Sequence, residues 1–166
     1  MEIVKAKAEH LSEITKIYAS ARAFMRKTGN TEQWQGGYPT EDIILNDINA
    51  QKLYLCVENG KTLAVFYFAC EDDPTYAKIY DGEWLNAEKY GVVHRIAISD
   101  EARGKGVAAF CFDFALSQIG NIKIDTHRTN IPMRRALEKY GFKYCGIIYL
   151  TNGDERLAFQ ITKQKR

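Results

Sequence analysis

Four side chains in the second half of the chain are of types that move protons. Asp125 and His127 flank Thr126, so an extended backbone puts the carboxylate and the imidazole on one face. Imidazole, with a free-solution pKa of about 6.5, suits a general base, and a carboxylate beside it would fix its orientation. The same two residues could instead brace the loop that follows. His94 lies within the apolar run Tyr90–Ser99 and is a second candidate base, with a hydrogen-bonded core histidine as the alternative. Tyr140 precedes Gly141. It could protonate a leaving group, or pack beneath the last turn of a helix, where a buried phenol needs a hydrogen-bond partner.

A second constellation suits anions. Arg103-Gly104-Lys105-Gly106-Val107-Ala108 lies between an apolar strand and a helix. A helix N-terminus offers unpaired N–H groups and partial positive charge. Glycine lets the backbone approach a ligand without an intervening Cβ. A plain surface turn would use the same glycines. Gly104-x-Gly106-x-x-Ala109 also satisfies the dinucleotide fingerprint, with Asp125 placed to hold a ribose. Against that alternative, Ser99 to Arg103 separate the strand from the first glycine, several strands precede the unit, and only about 40 residues follow Asp125. The pattern G-x-x-x-x-G-K-[ST] is absent.

Trp34, Tyr38 and Trp84 are loop aromatics that could line an acceptor pocket or pack on the core. Glu83, with Asp81, could attract a cationic amine or simply be solvated. Cys145 lies in an apolar strand without an activating partner. Cys56, Cys70, Cys111 and Cys145 form no C-x-x-C pair, and three of them read as small buried hydrophobes. With the histidines they show no zinc-ligand spacing, so no metal is expected.

The elements that must position these groups follow from periodicity. Residues 2–6 read as a strand. Leu11, Ile14, Tyr18, Ala21 and Met25 recur at helical spacing and predict a helix from about Glu9 to Arg26, stopped by Gly29-Asn30. A loop over 30–39 precedes a short helix from the N-cap Thr40 to about Ala50. Asn59-Gly60 joins the strands LYLCVE and TLAVFYFA as a hairpin. Residues 71–89 read as an insertion or bulky loop without assignment. Then come the buried strand over 90–99, a helix from Val107 to Gln118, and the strand NIKIDT. A helix capped by Asn130 at one end and Gly141 at the other carries Met133, Leu137 and Tyr140 on one face. Two last strands flank the turn Thr151–Asp154. The order is β-α-α-β-β-β-α-β-α-β-β, a mixed α/β fold in which antiparallel hairpins flank one β-α-β unit. The terminal KQKR reads as a frayed tail.

With 166 residues, 46% of them apolar and 27% charged, the chain fits a single domain over 1–166 with its own core. A net charge of +2 gives no drive toward nucleic acid or membrane. No basic-then-apolar leader and no run of about 18 apolar residues is evident, so a cytoplasmic protein is expected.

Arg103, Gly106 and Ala108 fill the pattern [Q/R]-x-x-G-x-[G/A], and Asn130 … Leu137-Glu138-Lys139-Tyr140-Gly141-Phe142 resembles the second motif of the same family. The chain resembles the GNAT superfamily of acetyl-CoA-dependent N-acetyltransferases along its whole length, most specifically from Val92 to Tyr149. The resemblance implies a sheet whose central parallel strands splay around acetyl-CoA. Backbone groups of Ile96, Ala97 and Ile98 would pair with the pantetheine arm, and the amides of Arg103 through Ala108 would hold the pyrophosphate. Asn130 would bond the cofactor near the pantetheine end, and Tyr140 would protonate the departing thiolate.

Such transfer needs a neutral amine, although an alkyl amine with a pKa of about 10 arrives protonated, so a base or water chain is required. A backbone N–H of the central strand could stabilise the oxyanion. The expected acceptor is a primary amine of a small molecule, with a protein N-terminus or lysine as the alternative. Coenzyme A would be the product. A non-catalytic acyl-CoA-binding module and an NAD-binding oxidoreductase remain the other readings. A homodimer is compatible by analogy.

Overall fold

The computed structural model of the chain describes residues 1–163; the predicted tail beyond Lys163 lies outside the described residues. Seven strands and four helices follow the expected order. They are β1 (Glu2–Lys5), α1 (Leu11–Lys27), α2 (Glu41–Asn49), β2 (Leu53–Glu58), β3 (Lys61–Ala69), β4 (Gly91–Ile98), α3 (Val107–Ile119), β5 (Asn121–Thr126), α4 (Ile131–Tyr140), β6 (Lys143–Tyr149) and β7 (Glu155–Thr162). One sheet runs β1-β2-β3-β4-β5-β7-β6. The β4–β5 pair is parallel and every other pair antiparallel. The last hairpin is therefore folded so that β7 lies inside and β6 at the edge.

Each face of the sheet has its own core. Phe66, Phe112, Leu137 and Phe159 pack beneath α3 and α4. Ile14, Tyr18, Ile44, Leu55 and Ile148 pack beneath α1 and α2. α1 buries the stripe that its sequence announces, Ile14, Ile17, Tyr18 and Ala21. It starts two residues later than its periodicity suggests, because a 3₁₀ turn over Ala8–His10 precedes it. Cys56, Cys111 and Cys145 are buried, as their apolar runs imply, and Cys70 is exposed.

Two departures from regularity create the site. In β4 two residues, Arg95 and Ile96, oppose the single residue Phe66, since Tyr67 faces His94 and Val65 faces Ala97. Arg95 sits at φ 48, which bulky residues rarely adopt. Second, β4 and β5 pair only at Gly91–Ile122 and Val92–Lys123. Beyond Val92 the strands part, and the edge of β4 that faces β5 is left without a strand partner.

The segment 71–89 resolves into a capped turn and a strap. Asp73 accepts from Thr75 N and Oγ1 at 2.8 and 2.7 Å and opens a 3₁₀ turn, Pro74–Tyr76. The chain then crosses the outer strands, where Tyr80 and Ile147 exchange N–H···O bonds of 2.8 Å. The strap lies so close to β6 that a Cβ on Gly82 would stand 1.9 Å from the Cys145 carbonyl oxygen. No helix among the described residues is long and apolar enough to cross a membrane.

Candidate active site

A groove of ≈ 550 Å³ opens where β4 leaves β5. Ile96, Ala97 and Ile98 form its floor, Arg103 to Ala108 its far end, and α4 one wall. Gly104 and Gly106 stand at φ +76 and +77, and an added Cβ would meet nothing within 4 Å at either, so conformation and not crowding calls for glycine there. α3 starts directly after Gly106 with no side-chain cap and no acidic residue in its first turn. Its leading amides thus face the groove end without protein partners, the arrangement that binds anions. The Lys105 side chain is exposed and does not line the groove. Arg103 is ion-paired with Asp100 and rests over the Phe24 ring at 4.0 Å.

A second cavity of ≈ 520 Å³ lies on the other side of the split. Met25, Ile96, Asn130 and Met133 line both cavities, so the two spaces meet at the bulge. Trp34 and Tyr38 wall the second cavity. Trp34 packs edge-on against Tyr18 with centroids 5.6 Å apart. The Arg95 bulge is held from three elements. Its guanidinium donates to Asp47 at 2.9 and 3.0 Å and to the Tyr38 hydroxyl at 3.1 Å, while its carbonyl accepts from Tyr18 at 2.8 Å.

His94 lines this second cavity and shares a 2.9 Å hydrogen bond between Nε2 and Asp73 Oδ2. Burial alone would push the Asp73 carboxyl up, but the bonds from His94 and Thr75 outweigh it and hold it at about 2. Asp73 is therefore a carboxylate throughout the neutral range and accepts the Nε2 proton. The ring's Nδ1 is left as its acceptor.

Asp125 and His127 do not pair. Asp125 accepts from the Tyr76 hydroxyl at 2.6 Å and lines the second cavity. Burial raises its pKa, against the pull of His94 and of the Tyr76 bond. His127 lines neither cavity. Its Nδ1 accepts from Thr129 N at 3.1 Å and lies 2.8 Å from Thr129 Oγ1, so it braces the β5–α4 loop. With Nδ1 occupied by a backbone donor, its basic nitrogen is unavailable.

Tyr140 has a carboxylate partner on the neighbouring helix. It lines the groove near Phe112 and Lys139, but its hydroxyl donates to Asp113 at 2.6 Å. Seven residues of helix, about 10 Å, separate it from Met133 at the junction of the cavities. A proton donor for a group reacting at the junction would have to be nearer. Glu83 and Trp84 line neither cavity. Glu83 is exposed, and Trp84 donates to the Tyr76 carbonyl at 2.9 Å with Lys123 Nζ 4.2 Å over its ring. The strap carries both onto the outer strands, and only its beginning reaches the cavity.

Asn130 is 7% exposed and spans both cavities. Its Oδ1 caps α4 by accepting from Met133 N at 3.3 Å, and its Nδ2 donates to Gln33 Oε1 at 3.1 Å. Gln33 also accepts from Asn30, which in turn accepts from Thr129. These bonds tie the α1–α2 loop to the β5–α4 loop. Asn30, Gln33, Asp73 and Tyr76 were not foreseen as site residues. Only the sequence Asp72-Asp73-Pro74, typical of a capped turn, could have drawn attention to Asp73.

The split sheet, the uncapped helix behind a glycine loop and the two meeting cavities define an acyl-transfer architecture. Residues 11–142 match the model of the acetyltransferase (GNAT) family, and the chain belongs to that family. A crystal structure of a GNAT-family acetyltransferase from Streptococcus agalactiae 2603 is 32% identical, with a TM-score of 0.90 over 99% of this chain and 96% of that one. A GNAT-family acetyltransferase from Listeria monocytogenes 4b F2365 shares the fold at 18% identity and a TM-score of 0.70, over 97% and 94% of the two chains. No protein of curated function matches the chain.

Proposed function

We propose that the protein transfers an acetyl group from acetyl-CoA to a primary amine in a ternary complex. The observation that carries this is the unpaired edge of β4, which ends beside the uncapped N-terminus of α3. The residues fit the cofactor. Amides of the Gly104–Ala108 loop, apart from that of Lys105, which donates to the Ala102 carbonyl at 3.3 Å, would hold the pyrophosphate, and Ile96, Ala97 and Ile98 would pair with the pantetheine arm as an added strand. Asn130 keeps one amide hydrogen for it beyond the bond to Gln33. When bound, acetyl-CoA supplies the thioester.

The protein's own part is orientation and proton handling. His94, oriented by Asp73, takes the proton of the incoming ammonium directly or through water, and the carboxylate stabilises the resulting imidazolium. A backbone N–H of the bulged segment Arg95–Ala97 donates to the developing oxyanion. Among the described residues no titratable side chain lines both cavities, so none is placed at their junction to protonate a leaving group. The amine acceptor fits the second cavity, whose volume of ≈ 520 Å³ suits a small molecule.

Thermal denaturation with acetyl-CoA, with NADH and with neither tests the reading. A ligand at about 100 times its Kd stabilises by about 2.7 kcal/mol, a shift of several degrees. Acetyl-CoA alone is expected to raise the midpoint, followed by thiol release in an amine screen. A shift with NADH alone would sink the assignment.

A further inference from the structure

The second cavity contains a cation that forms no ion pair among the described residues. Arg156 of β7 is 7% exposed and lines that cavity. Its one protein hydrogen bond among the described residues runs from Nη1 to the carbonyl of its neighbour Glu155, at 2.9 Å. No carboxylate of the described residues stands within ion-pairing distance of it. The cavity's other arginine, Arg95, is by contrast fully engaged with Asp47. Its Nε and Nη2 make no protein hydrogen bond among the described residues and stay open to the cavity, free to donate to an acceptor that enters it. The hydroxyl of Thr126, which lines the same cavity, is also buried without a partner.

We infer that the acceptor is an amine that also bears a carboxylate, and that Arg156 receives that carboxylate. The inference rests on reading the second cavity as the acceptor site. The planar fork of a guanidinium matches a carboxylate with two parallel N–H···O bonds. The other half of the acceptor is provided for as well, because Asp73 and Asp125 line the cavity and attract an ammonium. The cofactor's phosphates are not the missing anion. Arg156 does not line the groove, which has Arg103 and Lys139 of its own. A phosphate dianion in the cavity would face Asp125 and Asp154 with one unpaired arginine to offset it, whereas a carboxylate needs no more than one.

Matched amines decide the matter. The full chain is titrated, with NMR detection and without acetyl-CoA, against α-, β- and γ-amino acids and their carboxamides, with O-phosphoethanolamine as the phosphate arm. In at least one pair the amino acid is expected to bind about 10- to 100-fold tighter than its carboxamide, the range of charge-assisted hydrogen bonds. Arg156→Gln should remove that preference, and Arg156→Lys should retain part of it. In turnover the preference appears in KM.

Amino acids that bind no better than their amides, or a Gln variant that keeps the preference, would overturn the inference, as would tighter binding of O-phosphoethanolamine. If Arg156→Gln fails to fold, the wild-type pairs and the Lys variant still decide. Because the titration contains no acetyl-CoA, a protein that discriminates carboxylates but does not bind acetyl-CoA refutes the proposed transfer and leaves the anion site standing.

Discussion

Replacing Asp73 by asparagine separates the role of His94 as a base from a merely structural role. The Asp73 carboxyl is held at about 2 instead of 3.8, despite burial that opposes ionisation. The charged form therefore gains on the order of 2 kcal/mol net. His94 and the two Thr75 bonds share that gain. The asparagine Oδ1 can still accept from Thr75, so the turn survives and the His94 share is lost. A positioned general base contributes about 10²- to 10⁴-fold, so its impairment should cost the rate at least about tenfold. The amide also donates to Nε2, moving the ring proton to Nδ1 and removing the acceptor nitrogen. Initial rates of thiol release should therefore show kcat and kcat/KM falling together by at least about tenfold, because the imidazolium forms only on the way to the transition state. Linkage gives a second readout. A depressed carboxyl contributes stability above about pH 4 that is lost as pH falls through about 2. The variant's acid unfolding curve should be shallower in that window. Unchanged kcat/KM, or a rise in KM alone, would refute the assignment of His94 as the base.

Tyr140→Phe is expected to leave kcat within about twofold of wild type, since the hydroxyl is committed to Asp113 two helical turns from the junction. A tenfold loss in initial rates would restore Tyr140 to the mechanism. The pKa of His127 is lowered, first by burial and then by Arg156. The unfolded chain therefore takes up that proton first, and stability should fall as pH drops below about 6.5 toward the folded value. His127→Asn, whose Oδ1 can still accept from Thr129 N, should flatten the midpoint between pH 7 and 5, and an identical slope in both proteins would refute the brace.

The order of elements was legible because each rests on local chemistry. Thr40 and Asn130 cap, Asn59-Gly60 turns, and the apolar stripe of α1 has a clear period. The groove at the glycine loop was legible for the same reason, since its glycines and the helix behind them are contiguous in sequence. The second cavity was not. Its hydrogen bond between His94 and Asp73 joins residues far apart in the chain, and its Arg156, without an ion pair, reads in sequence as one more strand-end charge. Asp125-Thr126-His127 misled because alternation places two side chains on a common face without deciding their partners. Tyr76 and Thr129, from other segments, reached those side chains first.

The bulge at Arg95 explains why such remote residues matter. A bulky residue at φ 48 inside a strand opposes its local preference, so it persists only where the surroundings fix it. Here α1 supplies Tyr18, the α1–α2 loop supplies Tyr38, and α2 supplies Asp47, all directed at one residue of β4. Loosening any one of them would let β4 relax toward regular pairing with β3. The open edge beside β5, the groove floor at Ile96 and the wall at His94 would then shift together. The helices and loop on the α1–α2 face thus do more than cover the sheet: they fix the bulge beside Ile96, where the two cavities meet.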